Sequence, residues 1–334
     1  MGNLRFIRSL RAMVIAIGCG VAGCLITLPG LAAAQTTYPD RPIKLIVPFA
    51  AGGPTDIVAR IMAHGIEKEL GQSMIVENKP GGGSNIGSEL VARAKPDGYT
   101  LLIGTIANAT NMSIYNGLRY DTERDLVPIT HFMSSPSVLV VNPTLPITNM
   151  KELIAYARAN PGQLSYASSG AGGSPHLAGE MLKLRTGIDI LHVPYKGAAP
   201  ALNDVLGGSV SMGFMTAAGA LPNIVSGKLR PIAVAGLQRL PQLPDVPTMA
   251  EAGVPDFEVS SWNGLFAPAG TPPEVIKKLS DASLKVLAMP GIQKQFESMA
   301  SVAVGGSPEE FKQYVHAEIA KWAKVAKAGN IKLN

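Results

Sequence analysis

Cysteine is nearly absent from this 334-residue chain: its two copies, Cys19 and Cys24, both lie near the N-terminus. Beyond Ala34 there is none, which excludes a disulfide framework, a thiolate nucleophile and a cysteine metal site from the remainder. Charge and aromatics are also sparse, at 16% and 5% of residues. No basic run with interleaved aromatics occurs, so nucleic acid is not an expected partner. The motifs of common enzyme classes fail one by one. Gly81, Gly83 and Ile86 miss the G-x-G-x-x-G pattern, as do Gly170, Gly172 and Pro175. Gly227-Lys228 is followed by Leu229 and has Pro222 at the first glycine position of a phosphate loop. There is no G-x-S-x-G and no H-E-x-x-H. The five histidines, His64, His131, His176, His192 and His316, show no metal-ligand spacing. No catalytic residue, cofactor or metal is expected.

Glycine and proline are plentiful, at 36 and 26 residues, as in a globular α/β chain with many turns. The N-terminus stands apart. Arg5, Arg8 and Arg11 precede an apolar run from Met13 to Leu28, Pro29-Gly30 breaks it, and Ala32-Ala33-Ala34 offers a cleavage site before Gln35. Residues 1–34 therefore read as a secretory signal peptide. The run is shorter than the roughly 20 residues a transmembrane helix needs. Val21-Ala22-Gly23-Cys24 resembles a lipoprotein cleavage box, but the apolar run continues past it, which favours cleavage after Ala34. Loss of the three arginines takes the formal charge from +5 to +2.

The stretch from Val47 to Arg60 carries the most chemistry. It reads as the end of a strand (Ile43 to Phe49), a glycine turn at Gly52-Gly53 and a helix with Pro54 in its first position. Ile57, Val58, Ile61, Met62, Ile66 and Leu70 continue it with helical spacing. Unpaired N–H groups at such a helix start form a seat for an anion, and glycines let a ligand come close. The plain alternative is a tight turn. The segment Ser169 to Leu177 repeats this grammar: a strand, Gly172-Gly173, then Pro175 where a helix starts. Two such helix starts facing each other across a cleft could hold a small carboxylate.

These two loops supply most of the candidate ligand-binding residues: Phe49, Ala51, Gly52, Gly53, Thr55 and Asp56 in the first, and Ser169, Gly170, Gly173, Ser174 and His176 in the second. Asn85, Thr105 and Tyr195 follow other strands. Asp56 reads equally as a first-turn carboxylate paired with Arg60 and as a partner for a ligand amine or ordered water. His176 reads as a ligand donor or as an exposed side chain. Lys196 reads as a solvated charge. Phe49 and Trp262 read as apolar walls or as ordinary core.

Strands and helices alternate along the chain, which predicts α/β lobes with mostly parallel sheets. Residues 35–136 with 260–334 are expected to form one lobe and 137–259 the other, with two crossings making a hinge. Ser84 or Asn85, Asn149, Thr271 and Ser307 are the expected helix caps, the last two in capping boxes. Phe311, Val315, Ile319, Trp322 and Ala326 share one face of the last helix.

Several stretches together resemble one family. They are Tyr38-Pro-Asp-Arg-Pro-Ile, Val47-Pro-Phe with Gly52-Gly53 and Asp56, Asn78-Lys-Pro-Gly with Asn85-Ile-Gly, Pro96-Asp-Gly-Tyr-Thr-Leu, His192-Val-Pro-Tyr-Lys-Gly, Leu243-Pro-Asp-Val-Pro-Thr, and Trp262 with Ala267-Pro-Ala-Gly-Thr-Pro. Over nearly the whole mature length the chain resembles the Bug family of extracytoplasmic solute receptors, the binding components of tripartite tricarboxylate transporters. The resemblance implies a two-lobed periplasmic binding protein fold of type II-like design that closes on a small carboxylate (a dicarboxylate, an amino acid or an aromatic acid). Backbone groups and ordered waters around the two glycine loops would hold it. It further implies a monomer that serves membrane permease subunits. Ala50-Ala51 and the small, apolar Thr216-Ala-Ala-Gly-Ala depart from the family pattern and leave the ligand's far end open. The alternatives are a sensor subunit serving a membrane kinase and an enzyme of the same fold.

Overall fold

The computed structural model describes residues 38–170, 172–328 and 330–333; the expected cleavage at Ala34 and its alternative at Cys24 lie outside them. Two βαβ units set the architecture. In the first, β1 (Ile43–Val47) leads into α1 (Pro54–Leu70) and β2 (Met74–Asn78). In the second, β5 (Ser165–Ser168) leads into α6 (Ser174–Thr186) and β6 (Leu191–Pro194). Between them lie α2 (Asn85–Ala92), β3 (Thr100–Thr105), α3 (Ile106–Ile114), the short α4 (Thr122–Asp125), β4 (Leu126–Val141) and α5 (Met150–Ala159). After them come α7 (Ala198–Leu206), β7 (Met212–Thr216), α8 (Ala217–Val225), β8 (Arg230–Val234), β9 (Ser260–Pro268), α9 (Pro273–Leu287), α10 (Pro290–Ser298), β10 (Val302–Gly305) and α11 (Pro308–Ala328).

The sheet order is β2-β1-β3-β9-β4-β7-β5-β6, with β8 and β10 also on β4. It reads the same way from either end: an outer β2 or β6, then β1 or β5, then β3 or β7. Each outer trio is parallel, but β9 and β4 join them in antiparallel fashion. The alternation of strands and helices thus predicted the trios and missed the mixed centre. Insertion of β9 between β3 and β4 pairs Leu102 with Phe266, a contact too distant in sequence for a local pattern to announce.

Burial follows the side-chain periods. On β1 only Lys44 is exposed. On α1 the buried stripe is Val58, Ala59, Met62, Ala63 and Ile66, while Ile57, expected on it, is 42% exposed. That stripe packs with Leu279, Ala282 and Val286 of α9 on one side of the first trio. The other side carries a core shared by both halves, with Leu102, Ile106, Tyr166, Leu177, Phe214, Trp262 and Phe311.

The two halves meet along β4. Residues Leu126–Pro136 pair with β9, whereas Ser137–Val141 pair with β7. Pro136 lies opposite Ser260, and the Ser137 N–H reaches the Val259 carbonyl at 3.1 Å. Both passages of the chain between the halves therefore lie side by side and hydrogen-bonded.

The expected caps divide. Asn149 accepts from the Glu152 N–H at 3.0 Å. Ser307 and Glu310 form the reciprocal box at 3.2 and 2.7 Å. Thr271 does not cap: its hydroxyl donates to the Pro268 carbonyl at 2.8 Å, and Pro272 takes the cap position. Ser84 occupies a cap position without capping, at φ 80° and 2% exposed, and its hydroxyl has no partner among the described residues. A left-handed residue other than glycine costs about 1–2 kcal/mol, part of which glycine returns through its freer unfolded chain. Ser84→Gly is expected to stabilise the protein by about 1 kcal/mol, read as a higher urea midpoint at unchanged slope. A lower midpoint would show that the hydroxyl is satisfied by something other than protein.

Candidate ligand-binding site

Strand register brings the loops together. Thr105 at the end of β3 lies opposite Asn263 of β9, which lies opposite Met133 of β4. Thr216 at the end of β7 lies opposite Ser137 of β4. Four residues of strand separate Met133 from Ser137, roughly 13 Å at the usual rise. The helix starts that follow β3 and β7 therefore flank the middle of β4, and those that follow β1 and β5 leave the same ends of their parallel trios.

Two of these starts are alike. Gly53 caps α1 at φ −78°, ψ 167°, and Gly173 caps α6 at φ −74°, ψ 164°. Neither is capped by a side chain. In α1, Pro54 has no N–H and Ile57 N–H reaches the Gly53 carbonyl at 3.0 Å, which leaves Thr55 and Asp56 with the unclaimed first-turn amides. In α6, Pro175 has none and Leu177 N–H reaches the Gly173 carbonyl at 3.1 Å, which leaves Ser174 and His176. Each is a pair of donors at the positive end of a helix dipole.

Asp56 builds the first loop. It is 2% exposed, and its Oδ2 accepts from the Gly52 N–H and Arg60 Nε, both at 2.9 Å. Its Oδ1 accepts from Asn78 Nδ2 at 2.9 Å, and the same amide donates to the Phe49 carbonyl at 3.0 Å. Burial pushes the Asp56 carboxyl up, but the hydrogen bonds and the Arg60 charge outweigh it and hold the group below the usual carboxylate range. Of the two readings of Asp56, the structure shows the carboxylate paired with Arg60. Ala51 and Gly52 are exposed at the loop tip, and Thr55 receives a 3.5 Å contact from Asn263 Nδ2.

The second loop touches the first half. Thr110 Oγ1 of α3 donates to the Gly172 carbonyl at 2.7 Å. A side chain at Gly172 would collide with Ile114 Cδ1 and Asn111 Oδ1, at 2.7 and 2.8 Å. Asn111 Nδ2 in turn donates to Asn85 Oδ1 at 2.7 Å and to the Gly83 carbonyl at 2.9 Å. Asn85 thus stands beside the second loop through α3. Thr105 uses its hydroxyl to cap α3, in a reciprocal box with Asn108.

Residues 58–331 match the model of the "Tripartite tricarboxylate transporter family receptor", TctC. The chain belongs to this family. Three solved structures are similar to it along most of their length. R. palustris Rpa4515 with adipate is 38% identical, with TM-score 0.84, over 88% of this chain and 99% of that one. The periplasmic binding protein BugD is 38% identical, with TM-score 0.83, over 88% and 99%. MatC (Rpa3494) from Rhodopseudomonas palustris with bound malate is 32% identical, with TM-score 0.81, over 86% and 99%. The chain has the two-lobed periplasmic binding protein fold of these neighbours.

Within this receptor several expected residues take roles that the sequence did not show. His176, expected to be exposed or to donate to a ligand, is 5% exposed and accepts the Gly172 N–H through Nδ1 at 3.1 Å. Packing of α6 on the sheet turns its ring inward. Tyr195 directs its hydroxyl to Asp204, a hydrogen bond that pushes the phenol up to about 12. Its backbone lies beside the second loop, 3.4 Å from where a side chain on Gly170 would start. Ser169 and Gly170 are half-buried and Ser174 is buried. Trp262 is core, at 0% exposure, and Phe49 packs against the core of the first half. Asn78, Thr110, Asn111, Ser168 and His192 were not singled out as site residues. Asn78 alone had a local signal, since it ends a strand next to the Gly-rich turn. Among the described residues no cluster of metal-ligating side chains occurs, and no helix is long and apolar enough to cross a membrane.

Proposed function

We propose that this TctC-family chain is a periplasmic receptor that captures a small carboxylate between its lobes, residues 38–136 with 260–334 and 137–259, and delivers it to permease subunits of a tripartite transporter. The observation that carries this reading is the matched pair of uncapped helix starts at Gly53 and Gly173, one in each half. A carboxylate there receives amide hydrogen bonds and two helix dipoles from groups already in place, with no side-chain cation required. The dicarboxylates in Rpa4515 and MatC support a ligand with at least one such group. Closure is a population shift around the paired passages at Pro136–Ser137 and Val259–Ser260.

The test is calorimetry with adipate and malate beside their uncharged diamides, together with native mass spectrometry of freshly purified protein. Binding of a carboxylate and not of its amide, with the ligand returned unchanged, is the expected result. Equal binding of acid and amide would overturn the anion seat. Chemical conversion of the ligand would favour the enzyme reading.

A further inference from the structure

The second glycine loop is held by two histidines that lie flat on one another. His176 on α6 and His192 on β6 stack with ring centroids 4.1 Å apart and planes 14° from parallel. Tyr166 of β5 stacks on His192 at 4.9 Å. Each imidazole grips the loop. His176 Nδ1 accepts the Gly172 N–H at 3.1 Å, and His192 Nε2 lies 2.7 Å from Ser168 Oγ. Ser168 Oγ in turn accepts the Gly170 N–H at 3.3 Å. Gly172 is therefore held from both halves of the molecule: its N–H by His176, its carbonyl by Thr110.

A ring nitrogen that accepts an N–H bond must carry a lone pair. Protonation of His176 at Nδ1 turns the acceptor into a donor that faces the Gly172 N–H, and the bond is lost. A second positive charge on the stacked partner adds repulsion. Charge compensation is weak. Glu180 on α6 is the one carboxylate that favours the protonated pair, and it is already engaged by the Tyr166 hydroxyl at 2.7 Å and Lys183 Nζ at 3.2 Å. Lys183 itself opposes protonation. From α3 the loop meets Thr110, Asn111 and Ile114, none of them charged.

We infer that His176 and His192 are positioning residues for the carboxylate seat, a proton-sensitive strut that keeps Gly170 and Gly172 of the second loop in place at neutral pH and releases them, and with them the ligand, in acid. This inference rests on the reading of that loop as part of the carboxylate seat.

Burial pushes both imidazoles below the ordinary value of 6.5, His192 to about 4. The sign follows. With the loop released the rings return toward 6.5, so protons bind the released state more tightly. The strut is intact above pH 6.5 and is progressively lost as pH falls toward 4.

Two measurements test this. In the first, adipate affinity is determined at pH 7.5 and 5.0 for the wild type and for His192→Gln and His176→Asn, singly and together. Each replacement places a neutral amide near the ring nitrogen that contacts the loop but cannot take up a proton. Ionisation of adipate itself is common to all and cancels between proteins at the same pH. The wild type is expected to lose at least about fivefold more affinity across this interval than the double variant. Equal losses overturn the strut. In the second, amide exchange at Gly172 and Gly170 is followed in wild-type protein without ligand. Protection at these two amides is expected to fall with acidity ahead of the core strands, and unchanged relative protection overturns the strut without reference to any ligand. If adipate and malate fail to bind at either pH, the receptor reading fails while the exchange measurement still decides the strut.

Discussion

Gly53→Val and Gly173→Val are each expected to abolish carboxylate binding in a protein that stays folded. Both glycines lie in the extended region that any residue adopts, so neither is needed for backbone conformation. Neither is needed for packing. A side chain on Gly53 would first meet the Ala50 carbonyl at 3.5 Å, and one on Gly173 would meet Ser169 Oγ at 3.5 Å, both ordinary contacts. A serine or aspartate at these positions would have capped the helix. What glycine supplies instead is open space above unpaired amides. A valine fills that space, and each charge-assisted bond lost costs about 1.5–3 kcal/mol, roughly 10- to 150-fold in affinity, before steric exclusion is added. Lys196→Ala, by contrast, is expected to weaken binding by no more than a fewfold, because Lys196 is exposed and the anion is assigned to backbone groups. A lysine-anchored site predicts the reverse ranking. Calorimetry on the three variants with melting curves as the folding control separates the two.

Where the sequence was informative, the determinants were local. The start of α1 was legible because Gly-Gly-Pro fixes a turn and a first helical position within a few residues, and α6 repeats it. Ser307 and Glu310 were legible for the same reason. One error is local and the others are long-range. Thr271 fits the capping-box spacing, but the two prolines after it lack N–H donors, and its hydroxyl turns back to Pro268. Ser84 takes a left-handed conformation next to Gly83, whose carbonyl accepts from Asn111, far along the chain. His192 sits alone in a short strand; its meeting with His176 depends on the parallel pairing of β5 with β6 and the return of α6 across them. The candidate site was thus legible as two loops, and of the side chains that hold them Asp56 with Arg60 was legible while Asn78, Thr110 and the two histidines were not.

The largest loss of stability is expected at Glu318. Both tryptophans of the chain depend on it: Trp322 Nε1 donates to its Oε2 at 3.0 Å and Trp262 Nε1 contacts the same oxygen at 3.4 Å. The carboxylate is 5% exposed, and both indoles are fully buried. Trp322 belongs to α11, whereas Trp262 lies on β9 opposite Ser134, close to the two passages between the halves. Glu318 therefore ties the last helix to the strand beside the two passages between the halves. Its partner Lys321 is 36% exposed, so solvent screens that ion pair from the lysine side and it contributes less than the buried indole hydrogen bonds. Glu318→Ala strands two buried donors at about 1–3 kcal/mol each, so a loss on the order of 2–6 kcal/mol is expected. Glu318→Gln keeps an acceptor oxygen and is expected to lose about 1 kcal/mol, and Lys321→Ala to stay within about 0.5 kcal/mol. Urea unfolding followed by tryptophan emission reads all three directly. The ranking Ala, then Gln, then the lysine variant assigns the stability to the indole hydrogen bonds; a lysine variant as damaging as Glu318→Ala would assign it to the ion pair.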